Sequence, residues 1–200
     1  MRSKAVLVPL IFIVIACSTP STVAPVSFPL QYKMVATAAE FPTLSSCAGV
    51  SKVEVEDARD SKTLGKRSIE GNATASADVT TTTSVTDWVR TGFEQALTRS
   101  GAATNKAGGP TLHVRIEQIR TIENVLHRAG YEGHLGLSAQ LVPARGGAAC
   151  WKGSADSQGE NYGYPGSAEN YNETLNHALD RAIIKLIGAS DFKTAACDCT

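Results

Sequence analysis

Past its first sixteen residues the chain has no apolar run that could cross a bilayer as a helix, which takes about 20 residues. It also lacks an excess of either charge: 19 Lys and Arg stand against 19 Asp and Glu. That balance provides no basic surface for nucleic acid or anionic lipid. Aromatic residues are few, and Ala, Ser, Thr and Gly are abundant. No G-x-S-x-G, P-loop or G-x-G-x-x-G occurs, which removes the familiar nucleophile and phosphate-binding signatures. The four histidines, His113, His127, His134 and His177, show neither H-x-x-x-H nor H-E-x-x-H spacing, so they point to no metal site. These absences name no catalytic residue, metal or cofactor, and the chain reads as a protein that is not an enzyme.

What is present starts at the N-terminus. Arg2 and Lys4 precede an apolar run over residues 5–16. The run is too short to span a membrane, and its charged start marks a secretory signal. Val14-Ile15-Ala16-Cys17 resembles a bacterial lipobox. That resemblance implies cleavage before Cys17 and acylation of its thiol, with the membrane as a partner through the lipid. A polar stretch, Ser18-Thr19-Pro20-Ser21-Thr22, follows at once. Ser18 resembles the signal for onward sorting to the outer membrane, facing the periplasm. Each buried CH₂ of an acyl chain contributes about 0.8 kcal/mol, so two or three chains hold a protein durably.

The chain divides on this reading into a signal peptide (1–16), a lipidated tether (17–29) holding Pro20, Pro25 and Pro29, one domain (30–192) and a C-terminal tail (193–200). The remaining cysteines, Cys47, Cys150, Cys197 and Cys199, are even in number. In an exported chain that reads as two disulfides. A Cys197–Cys199 ring would be very strained, so one C-terminal cysteine pairs with Cys47 and the other with Cys150. The order stays open. A zinc site is the rival, but C-x-C plus two isolated cysteines lacks the usual paired spacing.

Periodicity places the elements. Residues 30–37 read as a short strand with Tyr32 and Met34 on one face. Residues 50–56 alternate cleanly, Val53 and Val55 inward, Lys52, Glu54 and Glu56 outward. Asp57-Ala-Arg-Asp60 follows; its carboxylates and Arg59 read as a turn cap with an internal ion pair rather than acid–base machinery. Residues 68–85 read as a long loop or an edge hairpin. Ser84 caps a helix whose stripe is Val85, Trp88, Val89, Phe93, Ala96 and Leu97, and Gly101 stops it. Strands follow at 111–123, with a bulge near Gln118, at 133–142 and at 148–156, forming an antiparallel meander. Residues 157–166 read as a loop. Ser167 caps a second helix over 168–187 with Tyr171, Leu175, Ala178, Leu179, Ala182, Ile183 and Leu186 buried. Its wet face holds Asn172, Glu173, Asn176, His177, Asp180, Arg181 and Lys185.

Three stretches resemble the YajG-type bacterial envelope lipoproteins: V-x-V-x-D-A-R-D at 53–60, D-W-V-x-x-G-F-x-x-A-L-x-x-x-G at 87–101, and S-A-E-N-Y-x-x-x-L-x-x-A-L at 167–179. The resemblance spans about residues 50–192 and implies two helices on one face of a curved sheet. The expected class is therefore α+β: a two-layer sandwich with a mixed, mostly antiparallel sheet of four or five strands. Its other sheet face would carry His113, Arg115, His134, Ser138, Gln140 and Lys152, a surface for an envelope protein partner. The expected role is an accessory or assembly subunit anchored at the outer membrane. The alternative is a periplasmic module that binds a lipid or glycan fragment in an apolar pocket between helices and sheet.

Overall fold

Ser84 opens the first helix as its sequence position demands: its hydroxyl accepts the Asp87 N–H at 3.1 Å, satisfying one of the free donors of the first turn. The structure, a computed structural model, describes residues 23–69, 72–125 and 129–199. Its elements are β1 (Val26–Phe28), β2 (Lys52–Asp57), β3 (Gly65–Ile69), β4 (Asn72–Thr81), α1 (Val85–Arg99), β5 (Thr111–Val125), β6 (Ala129–Val142), β7 (Trp151–Gly163), α2 (Ala168–Gly188) and α3 (Ser190–Asp198). The class is α+β, with one mixed sheet. The described residues form seven strands and three α-helices where four or five strands and two helices were expected.

The long antiparallel meander β5–β6–β7 is the frame. Its register slips between Ile116 and Gln118, the bulge expected near Gln118. The other edge of β5 is shared by two short parallel strands laid end to end. β2 pairs with the first part of β5 and β3 with the last part. Between them the chain steps away, and Arg59 closes the step. Its guanidinium grips Asp57 with two bonds, 2.7 and 3.0 Å, and donates to the Thr63 carbonyl at 3.0 Å. The structural reading of this motif thus holds. The chain re-enters at Gly65, where φ is +150° and a Cβ would stand 2.0 Å from the Thr121 carbonyl oxygen. Only glycine fits that approach.

Of the long loop or edge hairpin expected over residues 68–85, the structure has the hairpin: β3 and β4 pair antiparallel, β5 flanks β3, and β1 covers the outer side of β4 only at Val79–Thr81. A Thr- and Ala-rich strand is legible only through its partners, because its own apolar pattern is weak. The loop expected at 157–166 is corrected. β7 runs on to Gly163, paired with β6 residue for residue. Gly159 and Gly163 interrupt the apolar alternation there, which hides the strand.

The helices α1 and α2 pack on one sheet face, and every expected stripe residue of both is buried. Gly133 and Gly159 are register partners on neighbouring strands. They leave a trough into which α2 settles at Thr174 and Ala178. The wet face of α2 is partly wrong: Asn176 and Asp180 are buried. They face an N-terminal strap, not water. Asp180 accepts from the Val35 and Ala36 N–H groups, both at 2.8 Å, and from the Tyr32 hydroxyl at 2.6 Å. Asn176 accepts from the Trp88 indole at 2.9 Å and donates to the Gln31 carbonyl at 3.1 Å. Asn172 accepts from the Gln31 N–H at 2.8 Å. Residues 30–37 are therefore not a strand. Their backbone is satisfied by polar side chains spaced four apart on a helix, so they need no ladder.

Part of the stretch 17–29 expected as a tether belongs to the sheet. Val26–Phe28 pairs in parallel with β4, and Phe28 stacks on Tyr171 with ring centroids 5.2 Å apart. The C-terminal tail is the helix α3, with Phe192 buried edge-to-face against Trp151 at 4.9 Å. Two disulfides tie α3 down: Cys47–Cys197 and Cys150–Cys199, with Cα atoms 5.0 and 5.8 Å apart.

Candidate functional site on the open face of the sheet

Strand alternation decides what the open face carries. Val53, Leu112, Leu141 and Trp151 turn towards the helices and are buried. Their chain neighbours must then point the other way. Register lines these neighbours up across four strands: Glu54 beside His113, His113 beside Gln140, Gln140 beside Lys152. A second row runs Glu56, Arg115, Ser138 and Ser154. The first row, with Glu56, Arg115 and Ser138 of the second, lines an open groove of about 730 Å³.

Five of the six residues expected on this surface line the groove: His113, Arg115, Ser138, Gln140 and Lys152. His134 does not. It lies beyond the bulge, beside Arg120 and Gln158, and its Nε2 is 3.8 Å from Glu132. Three carboxylates join the five: Glu54, Glu56 and Glu117. Alternation marks Glu54 and Glu56 as outward-facing. Their place beside His113 and Arg115 follows only from the parallel pairing of β2 with β5. Glu117 is the bulge residue, left without a partner across the ladder.

The charges are arranged in local pairs. His113 Nδ1 lies 3.0 Å from Glu54, which also pairs with Lys52. Arg115 Nε stands 3.4 Å from Glu117, and the Ser138 hydroxyl donates to Glu117 at 2.7 Å. The hydrogen bond from Lys52, with the Lys52 and His113 charges, holds the Glu54 carboxyl below its ordinary range. The side chains remain substantially exposed. Exposed pairs of this kind contribute little to stability, typically about 0–1 kcal/mol, so the groove is not there to hold the fold together. Chemically it can hydrogen-bond and ion-pair with a surface that brings both signs of charge.

A second, shallower depression of about 580 Å³ is lined by Met34, Glu94, Gln95, Thr98 and Arg99 on the outer side of α1. Neither depression lies between the helices and the sheet, where the side chains of Leu175, Leu179 and Ile183 are fully buried. Among the described residues no three His, Cys, Asp or Glu side chains stand together as a metal cluster. His177 Nε2 lies 3.9 Å from Glu173 on α2. His127 and Cys17 lie outside the described residues. Among the described residues no helix is long and apolar enough to cross a membrane.

No family model matches the chain, and no curated protein is similar to it in sequence. Its fold is similar to that of XCC0632 from Xanthomonas campestris, which carries the family model DUF330. The TM-score is 0.52 at 12% identity, covering 88% of this chain and all (100%) of that one. At that identity the likeness is one of fold. Lower scores relate the chain to a candidate lipoprotein from Caulobacter crescentus (0.41 at 16% identity, 54% of this chain and 80% of that one). PelC from Paraburkholderia phytofirmans, a dodecamer, scores 0.36 at 15% identity over 73% and 89% of the two chains.

Proposed function

We propose that this chain is a YajG-type lipoprotein of the bacterial envelope, anchored at the outer membrane through Cys17 and facing the periplasm. It acts as a non-enzymatic accessory subunit that docks a partner protein on its open sheet face. The groove carries this reading. Ligand pockets for small molecules are mostly apolar and enclosing. This groove is open and lined by Glu54, Glu56, Glu117, His113, Arg115 and Lys152, a mixed-charge surface suited to another protein's polar rim. The sequence supports the anchor through the lipobox-like Val14-Ile15-Ala16-Cys17.

Site-specific photo-crosslinking in native membranes tests this. A crosslinker at Gln140 or Arg115 should capture one discrete protein adduct, and a crosslinker at Arg90, on the exposed side of α1, should not. The adduct should vanish in Cys17→Ala. Equal capture from both faces, or capture of a lipid or glycan alone, overturns the reading.

A further inference from the structure

Among the described residues two large aromatic side chains stand in solvent, Tyr162 at 72% and Tyr164 at 86% exposure. They sit at one end of the sheet, Tyr162 on the last residues of β7 and Tyr164 just past it, before α2. The buried Arg67–Glu123 ion pair holds this end together. Arg67 Nε lies 2.8 Å from Glu123, which has no exposure at all. The same pair pins two segments. Arg67 Nη1 donates to the Ala24 carbonyl at 2.9 Å, and the Gly166 N–H donates to Glu123 at 2.7 Å. The Tyr164 carbonyl accepts from the Tyr131 hydroxyl, whose oxygen lies 3.4 Å from Glu123. The point where the N-terminal chain leaves the domain and the turn that displays the tyrosines are therefore fixed side by side.

Seven peptide units separate Cys17 from Ala24. Fully extended, they reach about 25 Å. The groove lies at the other end of the strands, because Lys152 and Tyr162 are ten residues apart on β7, a span of about 33 Å. A chain anchored at Cys17 keeps the tyrosine end within about 25 Å of the lipid, while the groove end can stand about 33 Å further out.

We infer that the Tyr162–Tyr164 end of the sheet rests in the interfacial layer of the bilayer, and that the groove is thereby turned away from the membrane. This rests on the lipid anchor proposed above. Tyrosine suits that layer, since its ring is apolar and its hydroxyl stays wet. Tyr162 lies on the open face over Gly130, whose missing side chain leaves its ring room. Among the described residues Glu160 and Glu169 are exposed nearby, and the rings supply the apolar part of the contact.

The test uses the full lipidated chain in vesicles of phosphatidylethanolamine and phosphatidylglycerol, with and without brominated lipid. Trp88 and Trp151 are buried and give a constant background. The emission added by Tyr164→Trp should shift to the blue and lose intensity to bromine, as an interfacial indole does. The emission added by Lys152→Trp should keep its intensity. Flotation with the vesicles without quenching at Tyr164→Trp overturns the inference and leaves the anchor standing. Equal quenching of the two variants overturns it as well. Failure of the chain to float overturns the anchor and the inference together.

Discussion

Asp57 shows how one side chain can carry a turn. Two bonds from Arg59 and the Lys62 ammonium hold it in place, and its own side chain is 14% exposed. The Arg59 hydrogen bonds, outweighing the cost of burial and helped by Lys62, hold its carboxyl down at about 2, from an ordinary 3.8. A carboxyl depressed on folding stabilises above its unfolded value. That contribution falls away as pH drops through the folded one. Asp57→Asn should therefore cost roughly 1.5–3 kcal/mol at neutral pH, the range for a charged hydrogen bond. Urea unfolding should show the gap between variant and parent narrowing as pH falls from about 4 towards 2. A gap that stays constant through that window would separate Asp57 from the clamp. Burial, chiefly, and then the hydrogen bond to Asp180 push the Tyr32 hydroxyl up, so the strap keeps its proton through the physiological range.

Among the elements, α2 and β7 make a demanding contact. The α2 backbone lies so close to β7 that a Cβ on Gly159 would stand 2.1 Å from the Thr174 carbonyl oxygen and 2.9 Å from the Ala178 nitrogen. Both atoms belong to helix backbone and cannot rotate away. Gly159→Ala must lift the helix or bend the strand, which costs about 1–3 kcal/mol by overpacking alone. Gly130→Ala is the comparison, since its new methyl would meet only the Tyr162 ring at 3.5 Å, an ordinary contact. Thermal unfolding should drop for Gly159→Ala and stay within about 0.5 kcal/mol of the parent for Gly130→Ala. Equal effects would mean that the helix does not sit in a glycine trough.

At the scale of the molecule, both disulfides converge on α3. Cys47–Cys197 joins residues 150 apart in the chain, and Cys150–Cys199 joins residues 49 apart. Chain entropy alone assigns the longer loop about 5 kcal/mol and the shorter about 4. Reduction should lower the unfolding midpoint strongly. The Cys47→Ser/Cys197→Ser pair should lose more than the Cys150→Ser/Cys199→Ser pair when denaturant unfolding is followed by circular dichroism. The reverse order would show that the Trp151–Phe192 contact beside the shorter loop, and not loop length, dominates.

Local signals in the sequence determined α1 and α2, their caps at Ser84 and Ser167, the bulge near Gln118 and the meander. Periodicity and capping act within a few residues, so one stretch reveals them without its neighbours. Alternation likewise placed His113, Arg115, Ser138, Gln140 and Lys152 on one face. Tertiary structure alone decided which strands lie beside them. The parallel pairing of β2 with β5 brings Glu54 and Glu56 to the groove. Burial of Asn176 and Asp180 turns a stretch expected to be a strand into a strap. The order of the disulfides depends on where α3 packs. Each of these choices joins residues dozens of positions apart, where the free energy lies in the partner and leaves no periodic trace in the chain.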